Sequence, residues 1–229
     1  MTIALERLIL DTGQHAPGGN CLCLLEACAA FAGEPHTNRP RCVDPVLTEI
    51  GISFNDHLDD LWRQELVPLI PRMVQTGGDQ LTALRSMATV RWGVSALGSY
   101  MFEQLGDREH SRRMAKLVAS ITLDPRADGW DLAAELLELG RHNADWHYGQ
   151  WTDRGQPALV AKYGDAHTVF DELLRAVSEI VDWRPDGSIE RSANRVAIAI
   201  GSTLWVDLMP LQGMMVNFFS SIITPEAAR

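Results

Sequence analysis

From Asp165 to Trp183 the residues Val169, Leu173, Val177, Ile180 and Val181 recur at helical spacing, with Asp171, Glu172, Arg175 and Glu179 between them. Apolar residues three and four apart line one side of a helix and leave the other in water. The same period governs most of the chain. Asp44-Pro45 supplies a cap followed by proline at the first helical position, which predicts a helix from Val46 to about His57. A helix is expected over Leu61 to Val74, broken or bent by Pro68 and Pro71. Gly77-Gly78 ends that stretch, and Asp79 can cap a long helix reaching about Leu105. Further helices are expected over 107–121, 129–149, 189–206 and 208–223, although VAIAI at 196–200 also fits a short strand. Alternating apolar and polar residues are scarce, and no hairpin is legible. The expectation is all-α, a single domain over 1–229 of about seven to nine helices, closing in an apolar C-terminal helical hairpin. The segment TDRGQPALVAKYGD places a weaker candidate boundary at 149–165.

At 229 residues the chain can bury a substantial core. Its formal charge is −10, and residues 1–60 hold nine acidic side chains against three basic ones. Nucleic-acid binding neutralises phosphates with Lys and Arg, so it is not expected unless the fold gathers arginines on one face. The N-terminus, MTIALERLIL, is interrupted by Glu6 and Arg7 and does not read as a secretory signal. Four cysteines without such a signal point to reduced thiols and a cytoplasmic setting. Between Val196 and Ile223 the only charge is Asp207, but Gly201, Pro210, Gln212, Gly213 and Asn217 interrupt the run. A membrane span needs roughly 20 continuous apolar residues, so none is expected.

Chemistry-bearing residues concentrate between Asp11 and Pro45. There DTGQHAPGGN leads into CLCLLEACAAFAG, and a Pro-punctuated loop, EPHTNRPRCVDP, follows. With Asn20 as N-cap, Cys21 falls at the start of a helix, where the dipole and unpaired N–H groups favour a thiolate. The Gly18-Gly19 turn can fold His15 back as its base, and Asp11 can orient the imidazole. Against this nucleophile–base–orienter set stands the commoner use of Cys21, Cys23 and Cys28 as small core hydrophobes. A zinc site is not expected. In a helix Cys21 and Cys28 lie about 10 Å apart along the axis, whereas thiolates sharing a zinc lie within roughly 4 Å.

Glu26 stands alone in an apolar helix, so it must pair, most simply with an arginine, or face a cavity. Arg39 and Arg41 flank Pro40 in the loop. Glu49, Asp56 and Asp60 read as a solvated helix face. The run from Arg141 to Tyr148, followed by Trp151, forms a second cluster. His142 and Asp145 share a face there, and Trp146, His147 and Trp151 can line a pocket or an interface. His147 lies about 140° from His142, which is not a metalloprotease spacing. No metal or cofactor motif is present.

The segment GQH…GGNCLCLLEACAAFAGEP, then CVDPVL, Phe54-Asn55-Asp56 and LVPLIPRMV at 66–74, resembles a family of uncharacterised actinobacterial and actinobacteriophage proteins. The resemblance spans roughly residues 9–100. It implies a cytoplasmic actinobacterial or phage setting and no particular activity. His36 stands where members of that family carry Trp after AGEP.

The leading expectation is a non-enzymatic binding protein, in one version a phage-encoded factor acting on a host protein. Met209, Met214, Met215, Phe218 and Phe219 would supply an adaptable contact surface or a homo-oligomer interface. The competing expectation is a cysteine-dependent hydrolase or transferase using Cys21 and His15.

Overall fold

The computed structural model describes residues 4–17, 19, 21–117, 119–183, 189–203 and 207–225. Its helices in chain order are α1 (Leu24–Ala32), α2 (Pro45–His57), α3 (Asp60–Gln64), α4 (Ile70–Met73), α5 (Thr82–Trp92) and α6 (Ser99–Gln104), then α7 (Arg108–Leu117), α8 (Gly129–Asp153), α9 (Pro157–Val181), α10 (Glu190–Gly201) and α11 (Gln212–Ile223). The chain is all-α. The one strand pairing among the described residues is a two-residue parallel ladder of β1 (Ile9–Leu10) with β2 (Cys21–Leu22). Two compact units emerge: residues up to Arg85 together with those from Met209 onward, and the stretch Ser86–Leu208.

In the first unit, Asp44 caps α2 as expected, accepting the N–H groups of Val46 and Leu47, with Pro45 at the first helical position. The buried face of α2 carries Phe54, whose ring lies 6.4 Å from Phe218 and 5.7 Å from Phe219 of α11. Gly51 of α2 lets Leu25 and Phe219 approach, since a Cβ there would lie 3.1 and 3.3 Å from them. The helix expected over Leu61–Val74 is divided into α3, a 3₁₀ turn at Val67–Leu69, and α4. Pro68 and Pro71 offer no N–H to a continuous helix, and each instead occupies the first turn of a new one.

The second unit is organised by α8 and α9, each 25 residues long and packed along one another. They are joined at Arg154–Gln156, where Gly155 has φ +62°. The candidate boundary at 149–165 is therefore a helical turn within this unit. Gly140 of α8 receives the Phe170 ring of α9 so closely that a Cβ would fall 2.4 Å from it. The long helix expected from Asp79 to Leu105 starts later, at Thr82, and passes through a π-helical segment at Gly93–Gly98 before α6. Gly93 in that segment admits Leu173 and Val196, each 3.0 Å from where a Cβ would stand.

VAIAI at 196–200 is helical, within α10. Residues 204–206, assigned in the sequence to the same helix, lie outside the described residues. The expected C-terminal hairpin is divided between the units. α10 packs on α9 in the second, whereas α11 packs on α2 in the first. The reason lies in α11, whose Phe218 and Phe219 meet Phe54 and whose C-terminal carbonyls are held by Arg85. No helix is long and apolar enough to cross a membrane among the described residues.

Candidate functional site

Glu26 organises the N-terminal motif. Its side chain is 2% exposed and accepts the backbone N–H of His15 (2.9 Å) and of Cys23 (2.9 Å). His15 Nδ1 lies 3.0 Å from Glu26 Oε2, and His36 Nε2 lies 3.4 Å from Oε1. His36 also bonds the carbonyl of His15 at 2.8 Å. The expected partner of this buried acid was an arginine. Two histidines and two backbone donors take that place, because α1 points Glu26 back at the loop preceding its own start. Burial acts to raise the Glu26 carboxyl, but the N–H groups of His15 and Cys23 and the His15 ring outweigh it and hold the group below the usual carboxylate range.

The start of α1 differs from the sequence reading. Cys21 is not at a helix N-terminus; it pairs with Ile9 in β2. The cap is Cys23, whose sulfur accepts the Glu26 N–H at 3.4 Å while Glu26 takes the Cys23 N–H, a capping box with a thiol in the usual hydroxyl position. Asn20 and Gly18, assigned to the cap and turn, lie outside the described residues. Cys21 and Cys28 therefore do not belong to one helix.

His15 is oriented, but by Glu26. Its Nε2 lies 3.7 Å from Asp11 Oδ2, and among the described residues no hydrogen bond or ion pair links it to Cys21. The thiols are also unequal. Burial pushes Cys23 up to about 12 and raises Cys28 as well, and burial with Glu34 nearby pushes Cys42 up to about 11. These three are protonated thiols at neutral pH. Cys21 is exposed. No group of three His, Cys, Asp or Glu among the described residues is placed to hold a metal ion.

The network extends from Glu26 into α2. Asn55 accepts the Leu24 N–H (3.1 Å) and donates to the Asp11 carbonyl (2.8 Å), and Asp56 accepts the Gly13 N–H (2.9 Å). In the following loop Glu34 accepts the N–H groups of Arg41 (2.9 Å) and Cys42 (2.8 Å), and Arg39 pairs with Glu49. The supposed carboxylate face is thus individually engaged: Glu49 by Arg39, Asp56 by Gly13, and Asp60 by Arg63 at 2.7 Å. Arg39, Pro40 and Arg41 border a cleft of about 400 Å³ with Pro45, Thr48 and Gly77.

These contacts fix the loop that carries β1 and β2, and a second tie holds β1 to α3. The Gln64 amide donates to the Leu10 carbonyl and accepts the Leu10 N–H, both at 2.9 Å, as a neighbouring strand would. Gln212 at the head of α11 accepts the Asp59 N–H at the cap of α3 (3.1 Å). The Trp62 ring lies over Gly213, 3.1 Å from where a Cβ would stand. These three elements and the 3₁₀ turn Met209–Leu211 before α11 carry large apolar side chains in the open: Ile9 at 60%, Leu61 at 82%, Trp62 at 38%, Met209 at 55% and Met214 at 49% exposure. Of these, Met209 and Met214 were singled out in the sequence, and both are exposed. The exposure of Ile9, Leu61 and Trp62 was not legible, because their own segments are too short to display a period. Met215 and Phe219 are buried in the first unit's core.

In the second unit the Arg141–Trp151 cluster lies towards the α8–α9 turn. His142 Nδ1 takes the Glu138 carbonyl at 2.8 Å, and Asp145 faces Arg141 (3.9 Å) and His167 (3.4 Å). His147 stacks on Tyr163 with centroids 4.7 Å apart, and its burial lowers its pKa. Trp146 is exposed, and Arg154 covers the Trp151 ring at 4.9 Å. A hollow at the turn is lined by Tyr148, Thr152, Gln156, Pro157, Val160 and Gly164.

No described protein family, no curated protein and no solved structure matches this chain.

Proposed function

We propose that the chain is a non-enzymatic binding protein that engages a protein partner through the apolar face of its first unit, formed by Ile9, Leu61, Trp62, Met209 and Met214. The observation that carries this reading is their joint exposure on β1, α3, α11 and the turn leading into α11, with α3 bonded to both β1 and α11, in a unit whose other large apolar residues are largely buried. Contiguous apolar surface rimmed by polar residues is characteristic of protein–protein interfaces, and Trp is the residue most enriched at their energetic centres. The two methionines suit a surface that adapts to a partner's shape. The setting belongs to the same proposal: a cytoplasmic actinobacterial or phage protein acting on a host protein. The Glu26–His15–His36 cluster then serves to position the face, with Glu26 spent on structural hydrogen bonds.

The test is affinity capture from an actinobacterial lysate with the wild type and with a Leu61→Asp, Met214→Asp variant. Both side chains are exposed, so the two substitutions together should cost no more than about 1 kcal/mol of stability. The expected result is one near-stoichiometric protein held by the wild type and lost from the variant. Equal capture by both proteins, or a clean wild-type lane, would overturn the proposal.

A further inference from the structure

A second surface, of opposite chemistry, lies on α7. Arg108, Arg112, Arg113 and Lys116 are all exposed, while Ser111, Met114 and Leu117 turn inward. At 100° per residue the four cations fall within about 140° of arc, on the side away from the buried three. Elsewhere Arg39, Arg63, Arg85, Arg141, Arg175 and Arg195 each hold a carboxylate, and the described cations that hold none, such as Arg41, Arg72 and Arg126, are not grouped four to a helix face. Among the described residues these four cations hold none. In a chain of net charge −10, four unpaired cations on one helix face form a local field opposite in sign to the rest of the molecule.

We infer that this stripe is a docking site for an acidic helical segment of a partner protein. Arg108, Arg112 and Lys116 repeat every four residues, about 6 Å of rise per step. A partner helix with Glu at every fourth position repeats its carboxylates at the same interval, so three pairs can form in register. Glu109 is the one acid among the cations. It would repel the unbroken charge of a polyphosphate, whereas a peptide can set a neutral or basic residue opposite it. α7 also carries no exposed aromatic side chain on which single-stranded bases could stack. The fold has therefore gathered basic residues on one face, the condition under which nucleic acid must be considered, but the composition of that face favours an acidic peptide.

The test uses fluorescence anisotropy on the full chain. The probe is a labelled alanine-rich helical peptide with Glu at every fourth position, and a labelled DNA duplex of similar length is run beside it. The expected result is peptide binding at low salt that weakens as salt rises. It should fall about tenfold or more in an Arg108→Glu, Arg112→Glu, Lys116→Glu variant with unchanged thermal unfolding. No peptide binding at low salt, or binding indifferent to the triple substitution, would overturn the inference. Tighter binding to the duplex than to the peptide would overturn it in favour of a nucleic-acid surface. The apolar face plays no part in this measurement, so its result is independent of the function proposed above.

Discussion

Arg85→Ala should lower the stability of the first unit by about 3–5 kcal/mol, the cost typical of breaking a buried ion pair from one side. The Arg85 side chain is fully buried and every contact it makes joins separate parts of that unit. It donates to Asp44 at 3.0 Å, to both oxygens of Asp79 at 2.7 and 2.6 Å, and to the carbonyls of Ile222 and Ile223 at 3.1 and 2.7 Å. Asp44 is itself 1% exposed and caps α2. Without the guanidinium, the buried Asp44 carboxylate loses its ion-pair partner and the last turn of α11 loses its donors. Hydrogen exchange read by mass spectrometry should therefore show protection lost together in the peptides covering α2 and α11. Asp79→Asn should cost distinctly less, since Asp79 is a quarter exposed and can be solvated. A loss below about 1 kcal/mol for Arg85→Ala would mean that the pair is not what joins these helices.

Glu26→Gln should have the second largest effect, about 2–3 kcal/mol. The carboxylate accepts from His15 N–H and Cys23 N–H and meets both imidazoles. An amide presents one oxygen and one NH₂ to the same donors, so at least one buried donor is left facing another. The pH dependence follows from the direction of the shift. Glu26 is held below its ordinary value in the fold, so its contribution is present above the unfolded carboxyl pKa of about 4.3 and is lost as pH falls through the folded value. The difference in unfolding free energy between wild type and Glu26→Gln should accordingly be constant near neutrality and shrink in acid below about pH 4. A difference that is negligible at pH 7, or that grows in acid, would contradict the role given to Glu26.

Legibility in the sequence followed the physical range of each signal. The α2 cap at Asp44-Pro45 and the period of α9 are local, one a bond within a helical turn and the other a repeat from Val169 to Val181, about three turns, and both were readable. The residues Pro68 and Pro71 announced an interruption, and the structure resolves it into two short helices. Glu26 was recognisable as a buried acid needing partners. That those partners are His15 and His36 depended on how a loop without periodicity folds back, and spacing alone put Cys21 beside His15 instead. The helix start moved from Cys21 to Leu24 because Cys23, rarely counted among capping residues, accepts the Glu26 N–H. The division of the two C-terminal helices between units was beyond local pattern altogether. It rests on Phe218 and Phe219 finding Phe54, more than 150 residues earlier in the chain. The exposed apolar residues were half legible for the same reason: Met209 and Met214 were singled out in the sequence, but Leu61 and Trp62 look like core until α3 is seen to end after five residues.

The most direct test of the binding account is site-specific photo-crosslinking in actinobacterial cells. A photoreactive phenylalanine would be placed singly at Leu61, at Met214, and, as a control in the second unit, at the exposed Leu139. The account predicts one adduct of the same mass from positions 61 and 214 and none from 139. No adduct from either face position, or the same adduct from all three, would contradict the assignment of this face as the binding surface.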